Sequence, residues 1–432
     1  MISRLICFAS AWMLMAQTAA APGATARKAL DLLLAGKYAE FSAMLSPQYK
    51  AGTTEAIFGK MVAEIKTWGE VQKIADPSVQ DMGVNAVVTI PVSFTTQNIN
   101  FQFGVNAETG LVSAPLMRPG ATSWQRPPYS DPQAFREREV TFGEGENKLP
   151  GLLTVPTSGP GPFPAVLLVQ GFGPKDKDDT SYAVKPARDL AEGLATRGIL
   201  SMRYEKRTKQ YFQRMLGKPY TAGDETVDDA VTALAFLRQQ PGVDPHRVFL
   251  LGHDLGGYLA PRIATDDGKL TGLIMMGANT RPLEDLMIYD LAALLTSQKV
   301  DSAKLQAAVD SAKLQVARVK RLEPGDSDAP SLLGLPAEYW LDLKGYNPVE
   351  VAAKLNMPIL VLYGERDFQV PAEDFKAWQD GLGERRNVTL HSYPALDHLM
   401  VAGQGKSTEE DYRKPGHVAP EVVDEIAKFV TR

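Results

Sequence analysis

From residue 135 onward the sequence alternates short runs that are apolar on both faces with helical stretches, and few architectures accept that rhythm. The runs are 165–169, 199–204, 248–251, 273–276 and 358–363, with helical stretches such as 182–197 and 225–240 between them. A strand wetted on one side alternates apolar and polar residues, whereas a strand without alternation is covered on both. Buried strands joined by helical crossovers predict a doubly wound, mostly parallel α/β sheet over 135–432. Residues 282–346 interrupt the pattern with helical sequence and no strand signal, which predicts a helical cap over the sheet's carboxyl edge. Inside it, a nine-residue unit at 300–308 is followed by a near copy at 309–315. Nine residues make about two and a half helical turns, so equivalent residues face opposite sides. One long helix contacted on two faces is expected, rather than a solenoid, which needs at least three units.

The chain ahead of this domain divides into three pieces. Residues 1–21 carry one basic residue, Arg4, an apolar run at 5–15 and the small-residue stretch 18–21, the pattern of a secretory signal. The run meets Gln17 and Thr18 before the roughly 20 apolar residues that a spanning helix needs. Export to the periplasm or beyond is therefore expected, with no stable membrane span after cleavage. The single cysteine, Cys7, would leave with the signal, so neither disulfides nor a Cys-rich metal module holds the mature fold. Residues 24–117 begin with helical spacing (Ala29, Leu32, Leu33, Tyr38, Phe41, Leu45) and a second helix at 54–68. Strands follow at 71–74, 86–93 and 99–105, with a turn at 106–110, and this order predicts a small α+β unit. Pro119, Gly120, Pro127, Pro128 and Pro132 then place a Pro-rich linker at 118–134. With 46 Lys+Arg against 51 Asp+Glu in 432 residues, the net charge of −5 excludes a nucleic acid held by electrostatics. A small-molecule substrate is the expected partner, with no cofactor and no metal.

The chemistry concentrates after the run 248–251. Gly252-His253-Asp254-Leu255-Gly256-Gly257 leads into helical sequence at 258–264. Strand, G-x-nucleophile-x-G and helix form a nucleophile elbow, whose glycines allow a sharp turn that lifts the central side chain into a site. The central residue here is Asp254 instead of serine. Asp367 falls at the end of strand 358–363, where a triad carboxylate belongs, and His398 falls in the loop after strand 388–393. Order along the chain is thus nucleophile, acid, histidine. The backbone N–H of Phe172, after strand 165–169, and that of Leu255 are placed to form an oxyanion hole.

On these residues, 135–432 resembles the α/β-hydrolase superfamily. It is most similar to the bacterial esterase and serine-aminopeptidase-like branch with the loop H-G-S-G-P-x-D-R-D-E, the segment Y-D-K-R and a late N-H-L. The corresponding segments here are 170–179, Tyr204-Glu205-Lys206-Arg207 and Asp397-His398-Leu399. The resemblance implies an α/β-hydrolase fold and ester hydrolysis, and the sequence departs from the pattern at Asp254 for serine and Gln170 for histidine. Residues 24–117 loosely resemble the nuclear-transport-factor-like or cystatin-like domain ahead of some bacterial hydrolases.

Aspartate changes what an elbow can do. With a reference pKa of about 3.9 it needs no base to ionise. Its attack on an ester carbonyl would set a second negative charge beside the forming oxyanion, whereas attack on a saturated carbon gives an ordinary alkyl ester. His398, oriented by Asp367, would then activate water. Three readings follow. The first is an esterase-like hydrolase of small ester-type substrates, with Asp254 at the nucleophile position or acting on water. The second is an epoxide- or haloalkane-type hydrolase working through an alkyl-Asp254 ester, in the manner of superfamily members with G-x-D-x-G elbows. The third is a hydrolase-derived binding protein without turnover. Dehalogenases commonly carry Trp where Leu255 stands; epoxide hydrolases use cap tyrosines as acids, for which this sequence offers Tyr289, Tyr339 and Tyr346, with Trp340 nearby. His253 is expected to be a packed structural residue. His246, His391 and His417 lack metal-ligand spacing, and Asp176, Asp178 and Asp179 are expected in a solvated loop pairing with Lys206 or Arg207.

Overall fold

A computed structural model describes residues 21–432 apart from 96, 121–123, 216 and 327–330. The expected signal at 1–21, Cys7 included, lies outside the described residues except for Ala21. Two compact units divide at Thr122/Ser123.

In the first unit, helices Pro22–Leu34, Tyr38–Met44, Pro47–Gly52 and Glu55–Thr67 precede an antiparallel sheet. Its strands are β1 (Val71–Ile74), β2 (Ser78–Met82), β3 (Asn85–Phe94), β4 (Asn98–Asn106) and β5 (Leu116–Pro119), ordered β1-β3-β4-β5 with β2 also paired to β3. Strand β4 alternates strictly between buried and half-buried residues, so one face, with Phe101 and Phe103, packs under the helices together with Phe41, Phe58 and Trp68. The exposed strand β2 was not legible because it buries nothing and carries no periodic signal.

The second unit holds an eight-stranded sheet: β6 (Phe135–Phe142), β7 (Leu149–Pro156), β8 (Phe163–Val169), β9 (Leu200–Tyr204), β10 (Val243–His253), β11 (Gly272–Met276), β12 (Ile359–Gly364) and β13 (Val388–Tyr393). Their order is β13-β12-β11-β10-β8-β9-β7-β6. Pairs from β13 through β9 are parallel, and β7 and β6 extend the sheet antiparallel. Leu360, Leu273, Leu250, Leu167 and Met202 are all essentially inaccessible, as the apolar runs require. Separate apolar cores cover the two faces of the sheet.

The cap region contains helices Leu283–Ser297, Ser302–Val319 and Ala337–Leu343. The tandem repeat lies in the second of these, and its equivalent residues do face apart: Ala312 is buried where Ala303 is exposed. Only one face is covered, however, by Val309, Ala312, Val316 and Val319, and Leu314 stands 69% exposed. Contact on two faces is thereby corrected to contact on one.

The Pro-rich window 118–134 does not behave as a free linker. Its start belongs to β5, and from Trp124 the chain is bound to helix Pro186–Thr196 of the second unit. Trp124 Nε1 donates to Asp189 Oδ1 at 2.7 Å, with the Arg188 guanidinium 3.8 Å from the Trp124 ring centre. Arg126 and the Ser130 hydroxyl both donate to Glu192, whose side chain is fully buried, and the Tyr129 hydroxyl donates to Val418 O at 2.7 Å. Proline excludes helix and central strand, but it does not prevent an extended strap from satisfying buried carboxylates. A chain beginning at residue 123 is expected to exceed one beginning at 135 by about 2–4 kcal/mol of unfolding free energy in urea melts, because removing the strap strips donors from buried Asp189 and Glu192.

Candidate active site

The strand order reverses between β8 and β10: the chain leaves β8 toward β9 and leaves β10 toward β11. Loops diverging from that switch point open a crevice at the carboxyl ends of the strands. Asp254 follows β10 there with φ 52° and ψ −119°, a left-handed conformation that costs a non-glycine residue about 1–3 kcal/mol. It is held by its N–H donating to Met276 O at 3.0 Å and by the helix Leu255–Asp267 that begins at the next residue. Gly256 is required, since a Cβ would come within 2.5 Å of Val169 O where the helix start lies against β8.

Asp254, Phe172, Lys175, His398, Tyr412 and the cap residue Asp290 line a cleft of about 560 Å³. The Phe172 N–H donates to Asp254 Oδ2 at 2.9 Å, so the aspartate's own oxygen takes one of the two N–H groups expected to form an oxyanion hole. Gly171 permits the approach; a Cβ there would sit 2.4 Å from that oxygen. Leu255 opens the helix, and its N–H is one of the first-turn amides without an intrahelical acceptor. His398 Nδ1 lies 2.7 Å from Asp367 Oδ2, both residues being buried, while Asp367 Oδ1 accepts the N–H groups of Gln369 and Val370. Among the described residues no hydrogen bond joins Asp254 to His398; they share the cleft and interact through charge. Burial alone would lower the His398 pKa, but Asp367, then Asp254 and Asp290, push it up to about 9.

His253 is bonded at both ring nitrogens, Nδ1 2.7 Å from Asp179 Oδ2 and Nε2 3.1 Å from His398 O, and so braces the loop that carries His398. Gln170 turns out of the cleft, its Nε2 donating to Tyr204 O and Asp176 O. The acidic loop is corrected from solvated to largely buried. Asp178 pairs with Lys185 and Arg203, and Asp179 with Lys175 and His253, while Lys206 takes Glu225 and Arg207 takes Asp229. Lys206 also donates to Gly171 O at 3.0 Å, fixing the oxyanion loop from below. His391 lies against Glu425, and His417 against Asp189. Among the described residues no group of three or more His, Cys, Asp and Glu is arranged to hold a metal, and no helix is long and apolar enough to cross a membrane.

None of the three cap tyrosines lines the cleft. The Tyr339 hydroxyl donates to Glu225 Oε2 at 2.8 Å and that of Tyr346 to Tyr258 O at 2.9 Å, while Tyr289 accepts from Lys406 Nζ beside a separate hollow. A cap acid sits there instead. In helix Leu283–Ser297, Leu283, Leu286, Met287, Leu291 and Leu294 form the stripe facing the cleft, and Asp290 falls inside it. That signal was available in the sequence: a lone carboxylate at helical spacing within an apolar face.

A family model described as serine aminopeptidase, S33, matches residues 187–404, a span that includes Asp254, Asp367 and His398. Esterase EstD of Thermotoga maritima is 38% identical over 312 residues, covering 72% of this chain and 71% of its own. Among solved structures, Est1E from Butyrivibrio proteoclasticus aligns over 68% of this chain and 98% of its own at 16% identity and a TM-score of 0.45. An esterase of Pyrococcus furiosus aligns over 72% and 97% at 13% identity and a TM-score of 0.43.

The charge arrangement has a direct readout. In NMR titrations His398 is expected to titrate near pH 9, and Asp254→Asn or Asp367→Asn to bring it down. Since that value lies above the ordinary 6.5, the contribution of the protonated ring to stability is full below about pH 6.5 and is lost as pH rises through about 9. Urea midpoints are expected to fall over that interval in the wild type.

Proposed function

This chain belongs to the serine aminopeptidase S33 family of α/β-hydrolases, and from that premise we propose that it is an exported hydrolase of small ester-type substrates. The observation that carries the reading is the buried His398–Asp367 pair beside Asp254 in a single cleft. Sequence identity of 38% to an esterase over most of both chains supports it. The leader-like residues 1–21 support export.

In this reaction water replaces the missing serine hydroxyl. His398 in its neutral form takes a proton from water, and Asp367 stabilises the imidazolium and fixes the ring by binding Nδ1. Asp254, at the nucleophile position, accepts the second proton of that water in a hydrogen bond and aims its oxygen at the ester carbon. The carbonyl oxygen of the ester turns toward the Leu255 and Phe172 N–H groups, so Asp254 Oδ2 must yield the latter as charge develops. Because the base is the neutral ring, the minor form at neutral pH, kcat/KM is expected to rise with pH up to about pH 8.

A second reading is favoured by the Phe172 to Asp254 hydrogen bond itself. With that donor already on Oδ2, the other oxygen is poised to attack a saturated carbon bearing a leaving group, and the resulting alkyl ester has its carbonyl in the hole. A single turnover in ¹⁸O-water separates the two. Water attack on an ester puts the label in the released acid and none in the protein. An alkyl-enzyme leaves the label in the Asp254 carboxylate, and its adduct accumulates in His398→Gln by intact mass. Inertness toward esters, epoxides and haloalkanes, with ester turnover appearing in Asp254→Ser, would sink both in favour of a binding protein.

A further inference from the structure

We propose that Asp290, on the cap helix Leu283–Ser297, is the proton donor to the leaving oxygen of a substrate bound in the Asp254 cleft, an inference that rests on the ester reading above. Asp290 lines the same cleft as Asp254, and its Oδ1 is shut off from solvent with no hydrogen-bond partner among the described residues. An ionised carboxylate in such a place, with no donor on that oxygen, is costly. A neutral carboxyl instead has an O–H in need of an acceptor, and a departing oxygen supplies one. The titratable and charged groups facing it are Asp254, His398, Asp367, Arg281 and Tyr412. Arg281 is committed to Asp374 at 2.6 Å, and His398 to Asp367, so neither cation is available to neutralise Asp290. Burial first, and the Asp254 charge second, push its pKa up to about 8, so that at neutral pH it holds its proton.

His398 can take a proton from water, yet the same carboxylates that make it basic make it a reluctant donor. Separating the two tasks resolves this. His398 takes one proton from water as the water oxygen bonds to the ester carbon, and the carbonyl pair moves onto oxygen. When that pair re-forms the carbonyl, the bond to the alcohol oxygen breaks, its electrons go to that oxygen, and the oxygen takes the proton of Asp290. Asp290, now ionised, regains a proton from the product acid. The imidazolium of His398 loses its proton to solvent, so that ester and water become alcohol, carboxylate and one proton.

The test compares alkyl esters, whose alkoxides need a proton in order to leave, with 4-nitrophenyl esters, whose phenolate does not. In the full-length protein, Asp290→Asn is expected to lower kcat/KM on alkyl esters by about 10²–10⁴-fold, the range for loss of a general acid, and on nitrophenyl esters by at least tenfold less. Asp290→Glu, which keeps the proton, is expected to recover part of the alkyl-ester rate. The infrared carbonyl band of a protonated carboxyl at pH 7 is expected in the wild type and lost in Asp290→Asn at an unchanged melting temperature. Equal slowing of both ester classes, slowing of neither, or an ionised Asp290 at pH 7 would overturn the donor role while leaving the ester reading standing. A wild type inert toward both classes would overturn the ester reading and the donor role with it.

Discussion

A full negative charge stands where this fold ordinarily presents a neutral hydroxyl, and the rest of the cleft is arranged around it. The elbow cannot relax, because Asp254 is pinned at φ 52° between β10 and a helix whose start lies against β8. The charge therefore has to be met in place. The Phe172 N–H meets it directly at 2.9 Å, and the amino end of helix Leu255–Asp267 meets it through the backbone dipoles. Lys175 contributes from the oxyanion loop, its own pKa held up by Asp179 and Asp254 against the opposing effect of burial. Polar contacts elsewhere in the loops, such as His253 on Asp179 and Lys206 on Gly171 O, keep these groups in register.

That scaffold explains why Gln170 is compatible with the site. Its amide ties the oxyanion loop to the end of β9, so the position serves as a brace. Arg203, 2% exposed on β9, carries the same loop from the other side by reaching Asp178, Thr154 and Glu137. The loop is anchored by charge pairs of low exposure, which are expensive to break singly because each leaves a buried partner unpaired.

Much of this was legible. Apolar runs located β8 to β12 within two residues at most ends, except for the start of β10, because strands buried on both faces leave no ambiguity of period. The elbow located Asp254, since its glycines answer to a backbone requirement, and chain order located Asp367 and His398. The edge strand β6 and its neighbour β7 carry weaker signals: β6 reads Phe-Arg-Glu-Arg-Glu-Val-Thr-Phe, charged because most of it is exposed. The strap at 124–134 reads as linker because proline density reports what a segment cannot form, and is silent about what its side chains reach. The cap tyrosines drew attention by residue type, but Tyr339 and Tyr346 spend their hydroxyls on Glu225 and Tyr258. Asp290 is masked in the sequence by the apolar stripe whose pattern it interrupts.

Two carboxyls, Asp254 and Asp290, face one cleft, and their environments decide which one carries a proton. Two like charges sharing one low-dielectric cleft repel, so a site of this kind does not readily hold both ionised. Asp254 has a backbone donor on Oδ2 and a helix amino end beneath it; Asp290 has apolar neighbours and no donor on Oδ1. Burial therefore keeps the proton on the cap carboxyl. Different surroundings are how two identical functional groups in one cleft acquire different roles. A serine at residue 254 would leave burial as the main cause of the raised Asp290 pKa but remove the second, the Asp254 charge, so the cap acid and the elbow aspartate are coupled.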